Sequence, residues 1–438
     1  MTNNGLKENK LSKEIVFVPM ACDLIHEGHI NILANASKYG RVVVGLLTDD
    51  AISVYKPLPL LNYSRRLKII KSMKFVDSVV KTTDWDYKKS LENLKPKYVV
   101  HGDDWKSNNQ RKVRENVLKQ IKSWKGILIE IPYTKGISST LIKKVLRKNL
   151  SPDIIRKETF NRILNSKKLI RVIEVHNGIS ALIAQKSKYK NKEFDCMWLS
   201  SLTHSTSKGK PDIEYIDDTT VNNTINDIFD CSLKPLIFDA DSGGRIEHLK
   251  FTIKNLERLG VSAIVIEDKV GEKINSLSKN VEKQKQDSIK NFCKKIRIAK
   301  NSAVSSNIKI FARIESLIIK KGLDDALLRA SEYITSGADG IMIHSNKKTP
   351  LEIFKFCKSY NNLKNRVPLI VAPSTYDKTY EKDFEKYGIN IVIYANQLIR
   401  SAIPSMKKTA EKILKYGRSS EASKDIISIN EILKLMDQ

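Results

Sequence analysis

Cysteine is scarce in this 438-residue sequence, and its five copies are widely scattered. They are Cys22, Cys196, Cys231, Cys293 and Cys357, and no two of them form a C-x-x-C pair. Disulfide frameworks and zinc clusters need cysteines at short, regular spacing. The pattern therefore excludes both and predicts a reduced, cytoplasmic protein.

Long apolar runs are also absent. No run approaches the roughly 20 residues of a membrane-spanning helix, and residues 1–13 are polar. The sequence thus predicts neither a membrane span nor a signal peptide. Hydrophobic residues still make up 41% of the chain, which is enough for substantial cores, and the length predicts two or three domains.

Acidic and aromatic residues are few relative to basic ones. There are 49 Asp and Glu against 77 Lys and Arg, a net charge of +28, while aromatics are only 7%. The excess is mostly lysine spread along the chain, without an arginine-rich tail or a basic strip interleaved with aromatics. This distribution argues against nucleic acid as a partner and favours anionic small-molecule substrates.

The first 148 residues alternate short apolar runs with helical patterns. Strands are predicted at 15–19, 42–47, 98–101 and 126–131, with helices that include 30–38 and 65–72. Such alternation indicates an α/β fold with a Rossmann-like, doubly wound parallel sheet. The stretch K-N-L-S-P-D at 148–153 interrupts the pattern. We therefore predict domains at 1–148 and 149–438.

The second half contains eight strand candidates separated mostly by helix-compatible stretches. They are 171–176, 196–200, 236–239, 263–267, 308–313, 340–344, 369–372 and 391–394. Eight such units predict a (β/α)₈ barrel, whose chemistry lies at the carboxyl ends of the strands. Polar residues follow these ends: His176, Asn177, Trp198, Ser200, Asp239, Asp241, Glu267, Lys269, Arg313, Glu315 and His344.

Three of these acids predict a cation site. Asp239 and Asp241 are two apart, so in a regular strand they share a face, and Glu267 ends the next strand. Clustered carboxylates at a barrel mouth favour a hard cation such as Mg²⁺. Arg313 would suit a phosphoryl group. The alternatives are solvated loop acids, an Arg313–Glu315 salt bridge and a core histidine at 344.

The segment 267–276 carries a more specific pattern, E-D-K-x₅-N-S. It resembles the signature of the phosphoenolpyruvate phosphomutase family, within the isocitrate lyase superfamily, and the resemblance extends over most of residues 155–435. It implies a barrel with a swapped eighth helix, dimer or tetramer assembly, and Mg²⁺-dependent interconversion of phosphoenolpyruvate and phosphonopyruvate.

The resemblance also implies roles for single residues. Asp239 would bind Mg²⁺, with Asp241 and Glu267 holding its waters. Asp212 would face the transferring phosphoryl group, and Arg313 and His344 would bind its oxygens. Lys273 and Asn275 would lie on a gating loop together with Ser276. The substrate's carboxylate and enolate oxygens would be held by Trp198, Ser200, Ser201 and Leu202, although the family usually has glycine at position 201.

Two relatives within the superfamily compete with the mutase. The carbon–carbon lyases carry a catalytic cysteine on the gating loop, and this chain has none between Cys231 and Cys293. Phosphonopyruvate hydrolase shares much of the site but departs around the loop asparagine. Asn275 therefore favours the mutase, and the hydrolase stays open as the alternative.

The N-terminal half has its own motif, H-x-G-H at 26–29, directly after the first strand. His26 and His29 fall on one side of a first helical turn, where Gly28 allows close approach of a phosphate. The run G-I-S-S-T at 136–140 follows about 100 residues later. Together they resemble cytidylyltransferases, which implies that Ser138, Ser139 and Thr140 face the triphosphate of CTP. An aminoacyl-tRNA synthetase is excluded because no K-M-S-K-S run is present.

The resemblance assigns His26 and His29 to the α-phosphate as pyrophosphate departs. Lys56 would reach the acceptor or the phosphates, and Asp23 would hold Mg²⁺ or the acceptor, unless it only caps a helix. The fused order resembles bifunctional phosphonate-biosynthesis enzymes of the fosfomycin type. The acceptor would be a phosphonate such as 2-hydroxyethylphosphonate or 2-aminoethylphosphonate. The alternative is a nucleotide-sensing module without turnover.

Overall fold

A computed structural model describes residues 14–56, 58–106, 110–132, 151–190, 192–278, 281–305 and 307–437. The chain divides into two compact units, Met1–Ser151 and Pro152–Gln438. None of the helices within the described ranges has the length and apolar character needed to cross a membrane.

The N-terminal unit is built on one parallel sheet. Its strands are β1 (Ile15–Met20), β2 (Arg41–Leu47), β3 (Ser78–Thr82), β4 (Tyr98–Gly102) and β5 (Ile127–Ile131). They lie in the order β3-β2-β1-β4-β5. The strand order reverses between β1 and β4, and the crevice at such a switch point is where doubly wound sheets bind their ligands.

Helices cover both faces of this sheet, as a doubly wound fold requires. They are α1 (Glu27–Ala36), α2 (Asp49–Ser53), α3 (Tyr63–Lys71), α4 (Lys88–Leu94) and α5 (Arg111–Lys122). Val16 and Val18 of β1 pack in one buried cluster with α1 and α3, whereas Phe17 packs in another with α4 and α5. Because side chains alternate along a strand, the apolar run of β1 supplies both cores. The predicted parallel sheet is thus confirmed, with β3 as an additional strand that the sequence did not predict.

The C-terminal unit is a closed barrel of eight parallel strands. They are β6 (Ile170–Glu174), β7 (Cys196–Leu199), β8 (Leu236–Asp239), β9 (Ala263–Glu267), β10 (Lys309–Ile314), β11 (Gly340–Ile343), β12 (Leu369–Val371) and β13 (Ile391–Tyr394). Neighbours in sequence are neighbours in the barrel, and β13 pairs with β6 to close it. The predicted (β/α)₈ barrel is confirmed.

Helices connect and surround these strands. They are α6 (Pro152–Ser166), α7 (Gly178–Lys186), α8 (Ser201–Ser207), α9 (Asp218–Cys231), α10 (Ile246–Leu259), α11 (Ile289–Ser302), α12 (Gly322–Thr335), α13 (Leu351–Tyr360), α14 (Glu381–Lys386), α15 (Gln397–Tyr416) and α16 (Ile429–Met436). The large core of this unit lies between the outer faces of the strands and the helices. This packing fixes the carboxyl ends of the strands, so the residues that follow the strands are held in place.

Candidate active site

A cavity opens at the carboxyl ends of the barrel strands. It is lined by residues that end a strand or lie on the loop that follows it. All thirteen residues that the sequence predicted for the C-terminal site are among them: Trp198, Ser200, Ser201, Leu202, Asp212, Asp239, Asp241, Glu267, Lys273, Asn275, Ser276, Arg313 and His344. Closure of the barrel brings these thirteen side chains together, although the first and last of them, Trp198 and His344, are 146 positions apart in sequence.

The backbone after β8 holds Asp241 in an unusual conformation. Asp241 has φ of +50°, a left-handed value that costs a non-glycine residue energy. Its carbonyl oxygen accepts a hydrogen bond of 2.7 Å from the amide of Glu267, which lies at the end of the next strand. Asp239, Asp241 and Glu267 are all buried and all line the cavity, so we describe them as one acidic cluster.

Burial and mutual repulsion control the ionisation of this cluster. Burial and the neighbouring Asp239 raise the pKa of Asp241 to about 8, against the opposing charge of Lys273. Burial raises the pKa of Glu267 to about 7, although Arg313 opposes the shift. A cation placed among such acids stabilises their ionised forms and lowers their pKa.

Arg313 is a buried cation beside the acidic cluster. Its guanidinium donates to Glu315 at 2.6 Å and to Ser276 Oγ at 2.7 Å, and lies 3.2 Å from Glu267. It also lies 3.0 Å from His344 Nδ1. Arg313 therefore both forms the salt bridge with Glu315 and lines the cavity. Burial and the charge of Arg313 lower the pKa of His344, so its imidazole is neutral.

A loop after β9 brings a second cation over the acids. Lys273 contacts Asp241, lies 3.0 Å from Asp212 Oδ1, and donates to Ser201 Oγ at 2.5 Å. Asn275 donates to Asp212 Oδ2 at 2.8 Å. Burial favours the neutral form of Asp212, but Lys273 and these hydrogen bonds outweigh it and lower its pKa. Asp212 is therefore an ionised anchor for the loop.

Lys269 fixes the beginning of the same loop. Its ammonium donates to the carbonyl of Ile274 and to Ser276 Oγ, both at 2.8 Å, and lies 3.2 Å from Glu267. The sequence placed Lys269 only at a strand end. The structure shows that it links the acidic cluster to the loop that carries Lys273 and Asn275.

Some residues of the cavity were missed in the sequence. Met342, Ala372, Ser374, Ala395 and Asn396 also line it. Most of them follow the last two strands, so the strand-end rule would have found them, but they carry no charge and drew no attention. His176, in contrast, lies 3.2 Å from the buried Glu174 and is absent from the lining residues among the described part of the chain. Asn177 caps the N-terminus of α7.

The donor set of the acidic cluster suits a hard cation. Its donors are carboxylate oxygens, and burial raises the pKa of Asp241 and Glu267 although Lys273 and Arg313 oppose the shifts. Across the described residues, no three His, Cys, Asp or Glu side chains converge closely enough to ligate one ion together. An ion that keeps most of its waters and takes one direct carboxylate fits this arrangement, and Mg²⁺ has that habit.

The N-terminal unit places its predicted residues at the start of α1. His26 is the N-cap of α1, and His29 accepts a hydrogen bond from the His26 amide. The two rings lie 4.0 Å apart. Burial, His26 and Lys56 lower the pKa of His29 to about 4, so it is neutral at neutral pH. Gly28 lies in the first turn of α1, between the two histidines in sequence.

Asp23 does not cap α1, because His26 occupies that position. It is buried and accepts a hydrogen bond of 3.1 Å from the amide of Leu61. Arg66, which the sequence did not single out, is wholly buried and donates to the carbonyls of Ala21 and Leu47. It thereby fixes the loops after β1 and β2. Lys56 is exposed, and Ser138, Ser139 and Thr140 lie outside the described residues.

Comparisons with known proteins agree with both units. The sequence model of the phosphoenolpyruvate phosphomutase family matches residues 160–414, and a cytidylyltransferase-like model matches residues 22–145. A phosphoenolpyruvate phosphomutase from Tetrahymena pyriformis is 31% identical over 285 residues, which are 65% of this chain and 92% of that protein.

Solved structures give the same result for the barrel. The crystal structure of phosphoenolpyruvate phosphomutase from Streptomyces platensis subsp. rosaceus superposes with a TM-score of 0.59 at 28% identity, covering 64% of this chain and 94% of that one. A phosphonopyruvate hydrolase in complex with oxalate and Mg²⁺ superposes with a TM-score of 0.57 at 29% identity, with the same coverage.

The matched barrel takes up more than half of the chain, and its strand ends carry the residues that the family resemblance implied. The chain therefore belongs to the phosphoenolpyruvate phosphomutase family, as an enzyme of that type that also carries a cytidylyltransferase-like domain.

Proposed function

We propose that the barrel interconverts phosphoenolpyruvate and 3-phosphonopyruvate with Mg²⁺, and that the N-terminal unit transfers a cytidylyl group from CTP to a phosphonate. The observation that carries the first part is the contact of Lys273 and Asn275 with Asp212 above the acidic cluster. Lys273 supplies an ammonium donor, Asn275 an amide donor and Asp212 an ionised carboxylate, at the place where a phosphoryl group would lie.

The mutase reaction is an isomerisation and needs no second substrate. The carbon–phosphorus bond of phosphonopyruvate breaks, and a bond forms between phosphorus and the enolate oxygen of the same molecule. Arg313 and neutral His344 bind the phosphoryl oxygens during this transfer. Trp198, Ser200, Ser201 and Leu202 hold the carboxylate and enolate oxygens, so the two ends of the substrate stay in register.

The loop supplies the remaining requirement, which is the exclusion of water. Lys273 and Asn275 close over the transferring group with Ser276, and Asp212 orients both side chains. A metaphosphate-like species would otherwise be captured by water. Asn275 is the residue that favours the mutase over the hydrolase.

The acidic cluster is the proposed site of Mg²⁺. Asp239 would be its direct ligand, and Asp241 and Glu267 would hold its waters. The phosphonopyruvate hydrolase structure in complex with oxalate and Mg²⁺ supports Mg²⁺ as the ion by family likeness. The bound ion supplies positive charge that stabilises the carboxylate and enolate oxygens of the substrate.

The N-terminal reaction would form a CMP-phosphonate. A phosphonate oxygen attacks the α-phosphorus of CTP, and the bond to the departing pyrophosphate breaks. His26 and His29 stabilise the α-phosphate, and Ser138, Ser139 and Thr140 bind the triphosphate. Lys56 and Asp23 hold the acceptor, for which 2-hydroxyethylphosphonate and 2-aminoethylphosphonate are the proposed candidates. The two reactions together would place the protein in phosphonate biosynthesis.

Assembly through α15 is a further part of the proposal. Only Ile399 of this 20-residue helix is buried, while Ile403, Met406 and Ile413 on the same face are exposed. A second copy of the chain would cover that face and produce a homo-oligomer, dimer or tetramer.

Phosphorus NMR of the whole chain with phosphonopyruvate and Mg²⁺ tests the barrel reaction. We expect a phosphoenolpyruvate signal, and the Asp212→Ala variant serves as the inactive control. Inorganic phosphate with pyruvate as the only products would instead identify a phosphonopyruvate hydrolase. Release of pyrophosphate from CTP with a phosphonate acceptor tests the N-terminal reaction, and its absence would leave a nucleotide-sensing module.

A further inference from the structure

Asp268 lies between the acid Glu267 and the loop lysine Lys269, yet it does not reach the cavity. Its side chain is wholly buried, and it is absent from the lining residues within the described chain. Its backbone connects two elements of the site: its amide donates to the carbonyl of Arg313 at 3.1 Å, and its carbonyl accepts from the amide of Asp287 at 2.8 Å.

The carboxylate of Asp268 is fully engaged with groups from three elements. One oxygen accepts from the amide of Glu315, at the end of β10, at 3.0 Å. The other accepts from Gln286 Nε2 at 2.8 Å, from the Tyr333 hydroxyl at 2.7 Å and from Arg329 Nη1 at 3.2 Å. A buried carboxylate with so many donors is a rigid junction, because each bond that is lost leaves charge unsatisfied.

Gln286 is the link from this junction to the active-site loop. It pairs with Lys269 across a short antiparallel ladder, Lys269–Val270 with Lys285–Gln286, from which the loop with Lys273 and Asn275 projects. Gln286 also donates to Ser316 Oγ at 3.0 Å. Both limbs of the loop are therefore tied to the barrel through Asp268.

Arg329 and Tyr333, both on α12, are the two partners of the Asp268 carboxylate that also bond each other. Arg329 donates to the Tyr333 hydroxyl and to the carbonyl of Asp287, at 2.8 and 2.9 Å. Its Nε donates to Asp325 at 2.9 Å. The helix thus fixes the position of Asp268 and of the returning limb at the same time.

We infer that Asp268, Gln286, Arg329 and Tyr333 form a positioning network that sets the register of the active-site loop and so keeps water from the phosphoryl group. This inference rests on the proposed mutase reaction. A loosened network would let the loop shift over the site without unfolding the barrel. Water would then attack phosphorus as the carbon–phosphorus bond breaks, giving inorganic phosphate, while the enolate takes up a proton and becomes pyruvate.

The test is the Tyr333→Phe variant of the whole chain, with Tyr360→Phe as the matched control. Tyr360 is an equally buried tyrosine of the same unit, and its hydroxyl donates to the carbonyl of Val367 rather than to the loop. Phosphorus NMR with phosphonopyruvate measures the ratio of inorganic phosphate to phosphoenolpyruvate. This ratio does not change when part of the enzyme merely unfolds.

For Tyr333→Phe we expect kcat to fall on the order of 10- to 100-fold and the phosphate ratio to rise at least about tenfold, with Tyr360→Phe like wild type. Gln286→Leu, which breaks the link without touching the core tyrosine, should raise the same ratio. An unchanged ratio in both variants would overturn the inference, whatever happens to their stability. Wild-type enzyme that forms no phosphoenolpyruvate would instead refute the proposed mutase reaction.

Discussion

Asp212 orients two donors of the active-site loop. It contacts Lys273 and Asn275 over the site, so its removal takes away the acceptor of the Asn275 amide and one of the partners of Lys273. We expect Asp212→Ala to lower kcat for the interconversion by at least ~100-fold, since misplaced groups cost about that much. Phosphorus NMR measures the rate, and circular dichroism checks the fold.

The matched control for this change is Asp217→Ala. Asp217 is an exposed N-cap of α9 that bonds only the start of its own helix in the described structure. Its replacement should lower stability slightly, through the loss of a helix cap, and leave the rate intact. Full activity in Asp212→Ala would remove the residue from the mechanism.

The acids of the cluster make metal binding depend on pH. The pKa of Asp241 is raised to about 8 and that of Glu267 to about 7, so both are largely protonated below neutral pH when no cation is present. Mg²⁺ must displace these protons. We expect its affinity to rise as pH increases from about 6.5 to about 8.5, by up to about tenfold per pH unit for each proton displaced.

Titration calorimetry of Mg²⁺ into the whole chain measures this affinity, with the protons released reported by buffers of different ionisation enthalpy. Asp241→Asn should bind more weakly and with a shallower pH dependence. An affinity that does not change over this interval would contradict the proposed role of the cluster.

Among the elements, α15 carries a prediction about assembly. Its exposed residues Met406 and Ile413 continue the face that begins with buried Ile399. Two charges on that face should prevent burial against a second copy. We expect the double variant Met406→Glu, Ile413→Glu to sediment as a monomer and the wild type as a dimer or tetramer.

Analytical ultracentrifugation measures the assembly, and Lys407→Glu is the control because it adds a negative charge on an exposed side chain of the same helix. A wild-type monomer at micromolar concentration would refute assembly through α15.

Buried strands were easier to predict from the sequence than the ends of helices or the edge strand of the N-terminal sheet. The eight barrel strands were predicted to within two residues at each end, because strands buried on both sides are continuous apolar runs. Ser78–Thr82 was missed, since this edge strand holds only two apolar residues. The apolar pattern of the first helix was predicted only from residue 30, because its first turn is polar; the H-x-G-H motif placed His26 and His29 in that turn, and the helix begins at Glu27.

The site was partly predictable for a different reason. Charged residues at strand ends pointed to Asp239 and Glu267, and the family resemblance that the E-D-K-x₅-N-S segment carries implied Lys273 and Asn275. The network around Asp268 could not be predicted, because its partners Arg329 and Tyr333 lie 61 and 65 positions away and are recognisable only once α12 packs behind β9.

At the scale of the whole molecule, the two proposed reactions are assigned to residues of different units, so a single substitution should abolish one activity and leave the other. His29 belongs only to the proposed site of the N-terminal unit, and Asp212 belongs only to the proposed site of the barrel. We expect His29→Ala to lower pyrophosphate release from CTP by roughly 100-fold or more, as for other groups that stabilise transition-state charge, and to leave the interconversion unchanged.

Asp212→Ala should give the reverse result. Malachite green detection after pyrophosphatase treatment measures the first reaction, and phosphorus NMR the second. Loss of both activities in either variant, with the fold retained, would contradict independent sites.

Glu174 has a consequence for synthesis on the ribosome. This wholly buried residue of β6 accepts a hydrogen bond of 2.7 Å from the amide of Ile399, which is 225 positions later. Until translation reaches that amide, one oxygen of the Glu174 carboxylate lacks this donor, and burying it in that state is costly. The N-terminal sheet, whose last strand ends at Ile131, can finish first. We therefore expect the barrel to close only after nearly its entire length has been translated.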